Sequence, residues 1–255
     1  MKKVLLGAVA IAAAAISGSA LAADMAYKVK APPPVVYDWT GFYIGGNIGG
    51  GFDGTTTGFS GSPATAPFFG ANINPTSLAP GNGGIIGGFQ AGYNYEVSRM
   101  WVVGVEADIQ GSGYKGNSSV TPTPTVPFPP VTTSVENHSD YFGTVRARAG
   151  WLATPSFLIY GTGGFAYARE EASFSLAFPG TPPFLAAAST TTKYGYAAGA
   201  GFEIMSVPHW MFRVEYLYLG LGNISATGTL FPGFTFTATQ PVRESVLRAG
   251  LSYKF

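Results

Sequence analysis

Apolar and polar residues alternate along most of this chain. In "WVVGVEADIQ" (101–110), Trp101, Val103, Val105, Ala107 and Ile109 fall on one side, and Glu106, Asp108 and Gln110 on the other. "DYFGTVRARAGW" (140–151) sets Tyr141, Val145, Ala147, Ala149 and Trp151 against Thr144, Arg146 and Arg148. "WMFRVEYLY" (210–218) sets Trp210, Phe212, Val214, Tyr216 and Tyr218 against Arg213 and Glu215. The closing "RESVLRAGLSYKF" (243–255) sets Leu247, Ala249, Leu251, Tyr253 and Phe255 against Glu244, Arg248, Ser252 and Lys254. A period of two is that of a β-strand, whose successive side chains point to opposite faces. The pattern predicts eight strands, near 39–52, 83–97, 101–112, 139–153, 157–171, 192–204, 210–220 and 242–255.

The connections come in two kinds. Those after the second, fourth and sixth strands are tight: Ser98 to Met100, Thr154 to Ser156 and Met205 to His209. Those after the odd strands are long and rich in Gly, Pro, Ser and Thr, as at 53–82 and 113–137. Strict alternation of tight and long connections puts all tight turns on one rim of an up-and-down barrel and all long loops on the other, the asymmetry of an outer-membrane barrel.

Alternation alone does not say which face points inward, because a membrane barrel inverts the soluble arrangement. The aromatics decide. Trp39, Trp101, Trp151 and Trp210 all sit at tight-turn ends, with Phe157, Phe202 and Phe255 at the same level. Tyr141, Tyr167, Tyr194 and Tyr218 sit at the long-loop ends. Two aromatic rings about ten residues of tilted strand apart are the interfacial girdles of a bilayer-spanning barrel. The expected fold is therefore all-β: an eight-stranded antiparallel up-and-down transmembrane β-barrel over residues 39–255, with Phe255 as the girdle residue that closes the eighth strand. That strand pairs with the first, leaving no sheet edge in hydrocarbon.

Composition agrees. Only 11% of the 255 residues are charged, against about 25% in ordinary soluble proteins, too few to solvate a surface of this size. The net charge of +1 offers no footprint for nucleic acid, and the absence of Cys removes disulfides and thiolate metal sites. At the N-terminus, Lys2 and Lys3 precede an apolar run from Val4 to Ile16 and then "SGSALAAD". This is the form of a secretory signal over 1–22, with cleavage between Ala22 and Ala23; the alternative is a retained membrane helix. Residues 23–38, with three consecutive prolines, form an extended linker.

"WTGFYIGGNIGGGF" (39–52) resembles the opening strand of small alphaproteobacterial outer-membrane β-barrel proteins, and "LRAGLSYKF" (247–255) resembles their closing strand. The resemblance runs from about Trp39 to Phe255. It implies an OmpA-like barrel in the outer membrane without a periplasmic domain, whose C-terminal strand, with Phe255, is read by the outer-membrane assembly machinery. The name porin is applied loosely in this group and does not demonstrate conduction.

The inward charges would be Glu96, Glu106, Asp108, Arg146, Arg148, Glu203, Arg213, Glu215, Glu244 and Arg248. An eight-stranded barrel has an interior that side chains just fill, and enclosed charges must pair. The expected arrangement is a plug, with Glu106 and Asp108 facing Arg146 and Arg148, and Arg213 and Glu215 facing Arg248 and Glu244. The alternative is a selectivity lining for a narrow conduit for small solutes. No enzyme, metal or cofactor is expected. The glycine clusters lack the Gly-Lys-Ser/Thr of a phosphate loop. His138, Ser139 and Asp140 are neighbours on one strand, and so cannot form a triad among themselves. The long loops carry Phe59, Phe68, Phe69, Phe128, Phe178 and Phe231. They could contact lipopolysaccharide, neighbouring barrels or a host surface, or be weakly ordered without a ligand. The expected role is structural, in the envelope and at its surface.

Overall fold

A computed structural model describes residues 37–255; the expected signal, its cleavage between Ala22 and Ala23, and the linker up to residue 36 lie outside them. The elements are β1 (Gly41–Asp53), β2 (Thr57–Gly61), α1 (Ala66–Gly70), β3 (Ser77–Leu78), β4 (Asn82–Ser98), β5 (Trp101–Val120), β6 (Thr132–Thr154), β7 (Phe157–Ala177), β8 (Leu185–Val207), β9 (Trp210–Phe231) and β10 (Phe234–Lys254). Eight of the strands pair antiparallel in the order β1-β4-β5-β6-β7-β8-β9-β10, and β10 returns to β1 to close the ring. In that seam Tyr43 stands opposite Lys254 and Phe52 opposite Ser245. The backbone N–H of Phe255 adds a bond of 2.9 Å to the Phe42 carbonyl, so the last residue is tied to the first strand.

The sense of the alternation changes along the barrel axis. From the tight-turn rim upward, the outer face is apolar, with Ile44, Ile48, Val105, Phe212, Leu247 and Leu251 exposed on it, and polar side chains fill the lumen. Beyond the level of Tyr167 and Tyr218 the pattern inverts. Outward positions become Glu171, Ser173 and Ser175 on β7 and Ser225, Thr227 and Thr229 on β9. Inward positions there are apolar, as with Phe174, Leu176, Ala226 and Phe236. The lower segment is built for hydrocarbon and the upper for water.

The long connections expected at 113–137, 172–191 and 221–241 are therefore mostly strand. β5 continues to Val120 and β6 begins at Thr132; β9 and β10 meet across Pro232 and Gly233. Hydroxyl pairs Ser225–Thr239 and Thr227–Thr237, both 2.9 Å, link the outer face of that hairpin. Cross-strand Thr and Ser pairs of this kind stabilise a solvated sheet. The first connection, 54–81, is also folded. β2 pairs with β10 above the end of β1, with Phe59 opposite Ala238. α1 then lays Phe68 and Phe69 against the upper apolar cluster.

Trp39 departs from the girdle predicted for it. It is fully buried in the tight-turn mouth with Tyr43, Val102, Leu152, Leu158, Tyr160, Met205 and Met211, and its indole N–H donates to the Pro155 carbonyl at 2.9 Å. The reason is parity. Phe42, Ile44, Ile48 and Phe52 face outward, which gives the odd positions of this segment, Trp39, Tyr43 and Asn47, to the lumen. Trp101, Trp151, Trp210 and Phe255 lie exposed on the outer face at the tight-turn rim. Tyr141 and Tyr194 are exposed, and Tyr167 and Tyr218 half-buried, on the outer face at the other level.

Candidate functional site

Strand register sets which inward charges meet. Glu106 on β5 stands directly opposite Arg146 on β6, and Asp108 opposite Thr144. Glu215 on β9 stands opposite Arg248 on β10, and Glu203 on β8 opposite Arg213 on β9. These pairs point into one lumen and merge. Arg146 reaches Glu106 at 2.6 Å, Asp108 at 2.9 Å and Glu215 at 2.9 Å. Arg248 reaches Glu215 at 2.6 Å and Asp108 at 3.0 Å. Arg213 donates a hydrogen bond to Glu106 at 2.6 Å and forms an ion pair with Glu203 at 3.1 Å, and Arg148 donates a hydrogen bond to Glu203 at 3.1 Å.

The network holds four guanidiniums, Arg146, Arg148, Arg213 and Arg248, and four carboxylates, Glu106, Asp108, Glu203 and Glu215. All of them are buried. Balanced charge matters here, because an unpaired ion in so dry a site is far more costly than a paired one. Two tyrosines complete the layer. The Tyr43 hydroxyl donates to Glu106 at 2.6 Å and accepts from Arg148 at 3.0 Å. The Tyr160 hydroxyl donates to Glu215 at 3.1 Å, while its ring lies under the Arg148 guanidinium at 4.0 Å. Long side chains need room on the facing wall. A Cβ at Gly92 would collide with the Tyr43 hydroxyl, and one at Gly104 would come within 3.2 Å of Arg148 Cγ.

Of the residues predicted to form this plug, all but Glu244 meet as a single network. Glu244 stands opposite Leu219, four residues further along the strand than the Arg248–Glu215 pair. It lies instead against Glu170 of β7 and Ser139 of β6. Arg213 turns to Glu106 and Glu203 rather than to Glu244. Glu96, counted among the inward charges, is half-buried near the tight-turn rim, and its backbone N–H donates to the Thr40 hydroxyl at 3.1 Å. Tyr43 and Tyr160 escaped the sequence reading, which assigned aromatics to the outer face. Strand parity was the available signal: Tyr160 has the opposite parity to outward-facing Phe165 and Tyr167.

Charge returns to the outer face where Arg169, Asp140 and Arg243 are exposed, so Glu170 and Glu244 lie at the end of the apolar band, outside the membrane-spanning segments. Burial pushes the Glu170 carboxyl up, and the neighbouring Glu244 charge pushes it further. Burial raises Glu244 as well, and the Asp53 charge adds to it. On the outer face nearby, His138 Nε2 contacts Asp140 at 3.0 Å and Arg169 contacts Asp140 at 3.2 Å. Ser139 points the other way, fully buried inside. Nucleophile and base are thus on opposite sides of the wall, as the strand alternation of these three residues requires.

Below the charge layer the tight-turn mouth is filled by the Trp39 cluster. Above it, Ile86, Phe142, Leu217, Leu219, Val242 and Val246 form an apolar layer. The arrangement can hold strands at fixed register; along the axis it places packed apolar side chains on either side of a neutral ion-pair network.

The family model described as "Outer membrane protein beta-barrel domain" matches residues 8–255. The 31 kDa outer-membrane immunogenic protein of Brucella melitensis biotype 1 is 34% identical over 266 residues, with 100% of each chain covered. The 25 kDa outer-membrane immunogenic protein of Brucella abortus biovar 1 is 26% identical, over 94% of this chain and 92% of the relative. Among solved structures, the outer membrane protein OprG from Pseudomonas aeruginosa aligns with a TM-score of 0.47 at 16% identity, over 85% of this chain and 96% of that one.

Proposed function

Because the chain belongs to the outer membrane protein β-barrel family, we propose that it serves the outer membrane as a sealed barrel, a structural and surface-displaying element rather than a conduit. The observation that carries the sealed reading is the contact between Arg213 and Glu106. Their strands, β9 and β5, are four places apart in a ring of eight, yet the side chains meet at 2.6 Å. Ion pairs that span the lumen from wall to wall occupy the path a solute would take. Planar-bilayer conductance of the purified protein tests the reading.

The extended hairpins face the outside of the cell in this reading, and the tight turns face the periplasm. The relatives are called outer-membrane immunogenic proteins, and a solvated, hydroxyl-rich upper wall suits display at a surface. The apolar band takes outer-membrane lipid. Arg169 and Arg243, exposed at its upper edge, would meet the anionic groups of lipopolysaccharide in this reading. The closing strand, with Phe255 half out of the wall at 64% exposure, is offered to the assembly machinery during insertion. Ligands on a host surface would be met by the hairpin tips.

A further inference from the structure

We infer that the hairpin tips enclose a binding site for an uncharged, apolar small molecule. At the top of the barrel a cavity of about 520 Å³ is lined by Phe68, Phe128, Phe178, Phe184, Phe231 and Phe236, together with Ile73, Val131, Leu176 and Asn74. That volume falls within the about 300–1,000 Å³ of small-molecule sites, which are mostly apolar with a few placed polar groups.

The cavity has a floor and a mouth. Ile73, Val131, Leu176 and Phe236 at the floor are buried, whereas Phe178, Phe184 and Phe231 at the mouth are 38%, 38% and 48% exposed. The walls are fixed by packing from separate connections. Phe68 of α1 meets Phe128 edge-on at 5.8 Å and Phe236 at 6.0 Å, and Phe178 lies 5.1 Å from Phe184. Exposed phenylalanines on loop tips are costly in water unless something covers them. Here they converge on one space instead of scattering.

The lining selects the chemistry. No Asp, Glu, Lys or Arg among the described residues lines the cavity, so a charged ligand would lose its hydration without gaining a partner. Asn74 is the polar group, buried and bonded through its carbonyl to the Thr133 hydroxyl at 3.4 Å. Its amide is left to orient a hydroxyl or carbonyl on the ligand.

Position selects the source. Leu176 at the floor is nine residues beyond Tyr167 on the same strand, about 30 Å of chain at about 3.3 Å per residue. Outward Arg169, Glu171, Ser173 and Ser175 intervene. An acyl tail whose headgroup stays in the bilayer cannot span that polar stretch. The occupant is a free molecule taken from the surrounding water.

The test uses the full barrel in nanodiscs with labelled Ile, Leu and Val methyls, and 1-octanol as the probe. The methyls of Ile73, Val131 and Leu176 should shift saturably as octanol is added. Those of Ile44, Ile48 and Leu251 on the membrane face report simple partition and should drift in proportion to octanol. F178D at the exposed mouth should leave the octanol-free spectrum of the floor methyls in place and raise their half-saturation about tenfold. Floor methyls that only drift, in step with Ile44 and Leu251, would overturn the site. So would an F178D barrel that binds as the parent does. Cross-peaks from the floor methyls to lipid chains before any octanol is added would assign the cavity to a lipid tail and overturn the free-solute proposal.

Discussion

Arg213 and Glu106 bond at 2.6 Å across the full width of the lumen. Neither strand could slide by one residue without breaking this contact, since a one-residue slip turns every side chain to the other face. The pair therefore records the register of the whole ring as well as filling it. Removing one partner of a buried pair costs about 3–5 kcal/mol, because the other charge is left uncompensated. R213M should lower unfolding stability in detergent by about that much. R213M combined with E106Q should be less destabilised than the two single variants summed. Strict additivity in urea unfolding would show that the contact carries no coupling.

Glu170 and Glu244 should make the barrel less stable in alkali. Both carboxyls are raised in the fold, Glu244 to about 7 and Glu170 to about 9. The folded state binds more protons than the unfolded chain above the ordinary carboxylate range, so stability falls as pH rises. The contribution is fully present below about pH 4 and is lost as pH climbs through about 7 and about 9. E170Q removes one of the two titrations and should lessen the fall of the urea midpoint between about pH 5 and about pH 9. A parent barrel whose midpoint is level or rises over that interval would refute the raised carboxyls.

Much of this was legible in the residues. Alternation in "WVVGVEADIQ" and "WMFRVEYLY" marked the strands, and closure of the last strand on the first made the ring. That the inward charges would pair followed from the narrow interior. Two parts were hidden. "SATGTLFPGFTFTATQ" (225–240) carries Thr and Ser on one face, while Ala226, Phe236 and Ala238 lie on the other. That is a soluble strand pattern, and it reads as a loop to an eye set for an apolar outer face. Trp39 and Glu244 were misassigned for a common reason. Residue type suggested a role for each, but the register of its strand decided where the side chain went.

A deletion at Phe255 tests whether the closing strand is recognised during insertion. Phe255 is exposed on the outer face, with its ring 5.4 Å from Tyr253, so its deletion removes modest apolar burial, at most about 1.5–3 kcal/mol. Deletion should nevertheless reduce folded barrel in the outer membrane far more than it lowers the stability of refolded protein. Y253A removes similar area without touching the terminus and is the control. Heat-modifiable gel mobility reads both settings, and losses proportional to stability in both variants would leave Phe255 no role in recognition.

Protease added to intact cells should cut between Val120 and Thr132 and between Ala177 and Leu185, the connections at the tips of the long hairpins. Ser98 to Met100 and Thr154 to Ser156 should be spared until the cells are opened. Cleavage confined to those tight turns would reverse the orientation.

Single-barrel conductance in a planar bilayer tests most directly whether the lumen is sealed. The parent protein should show no steady open state, because Arg146, Arg148, Arg213 and Arg248 are tied wall to wall by Glu106, Asp108, Glu203 and Glu215. A large, stable conductance in the parent whose ion selectivity shifts on R146A would contradict the seal and make the network the lining of a channel.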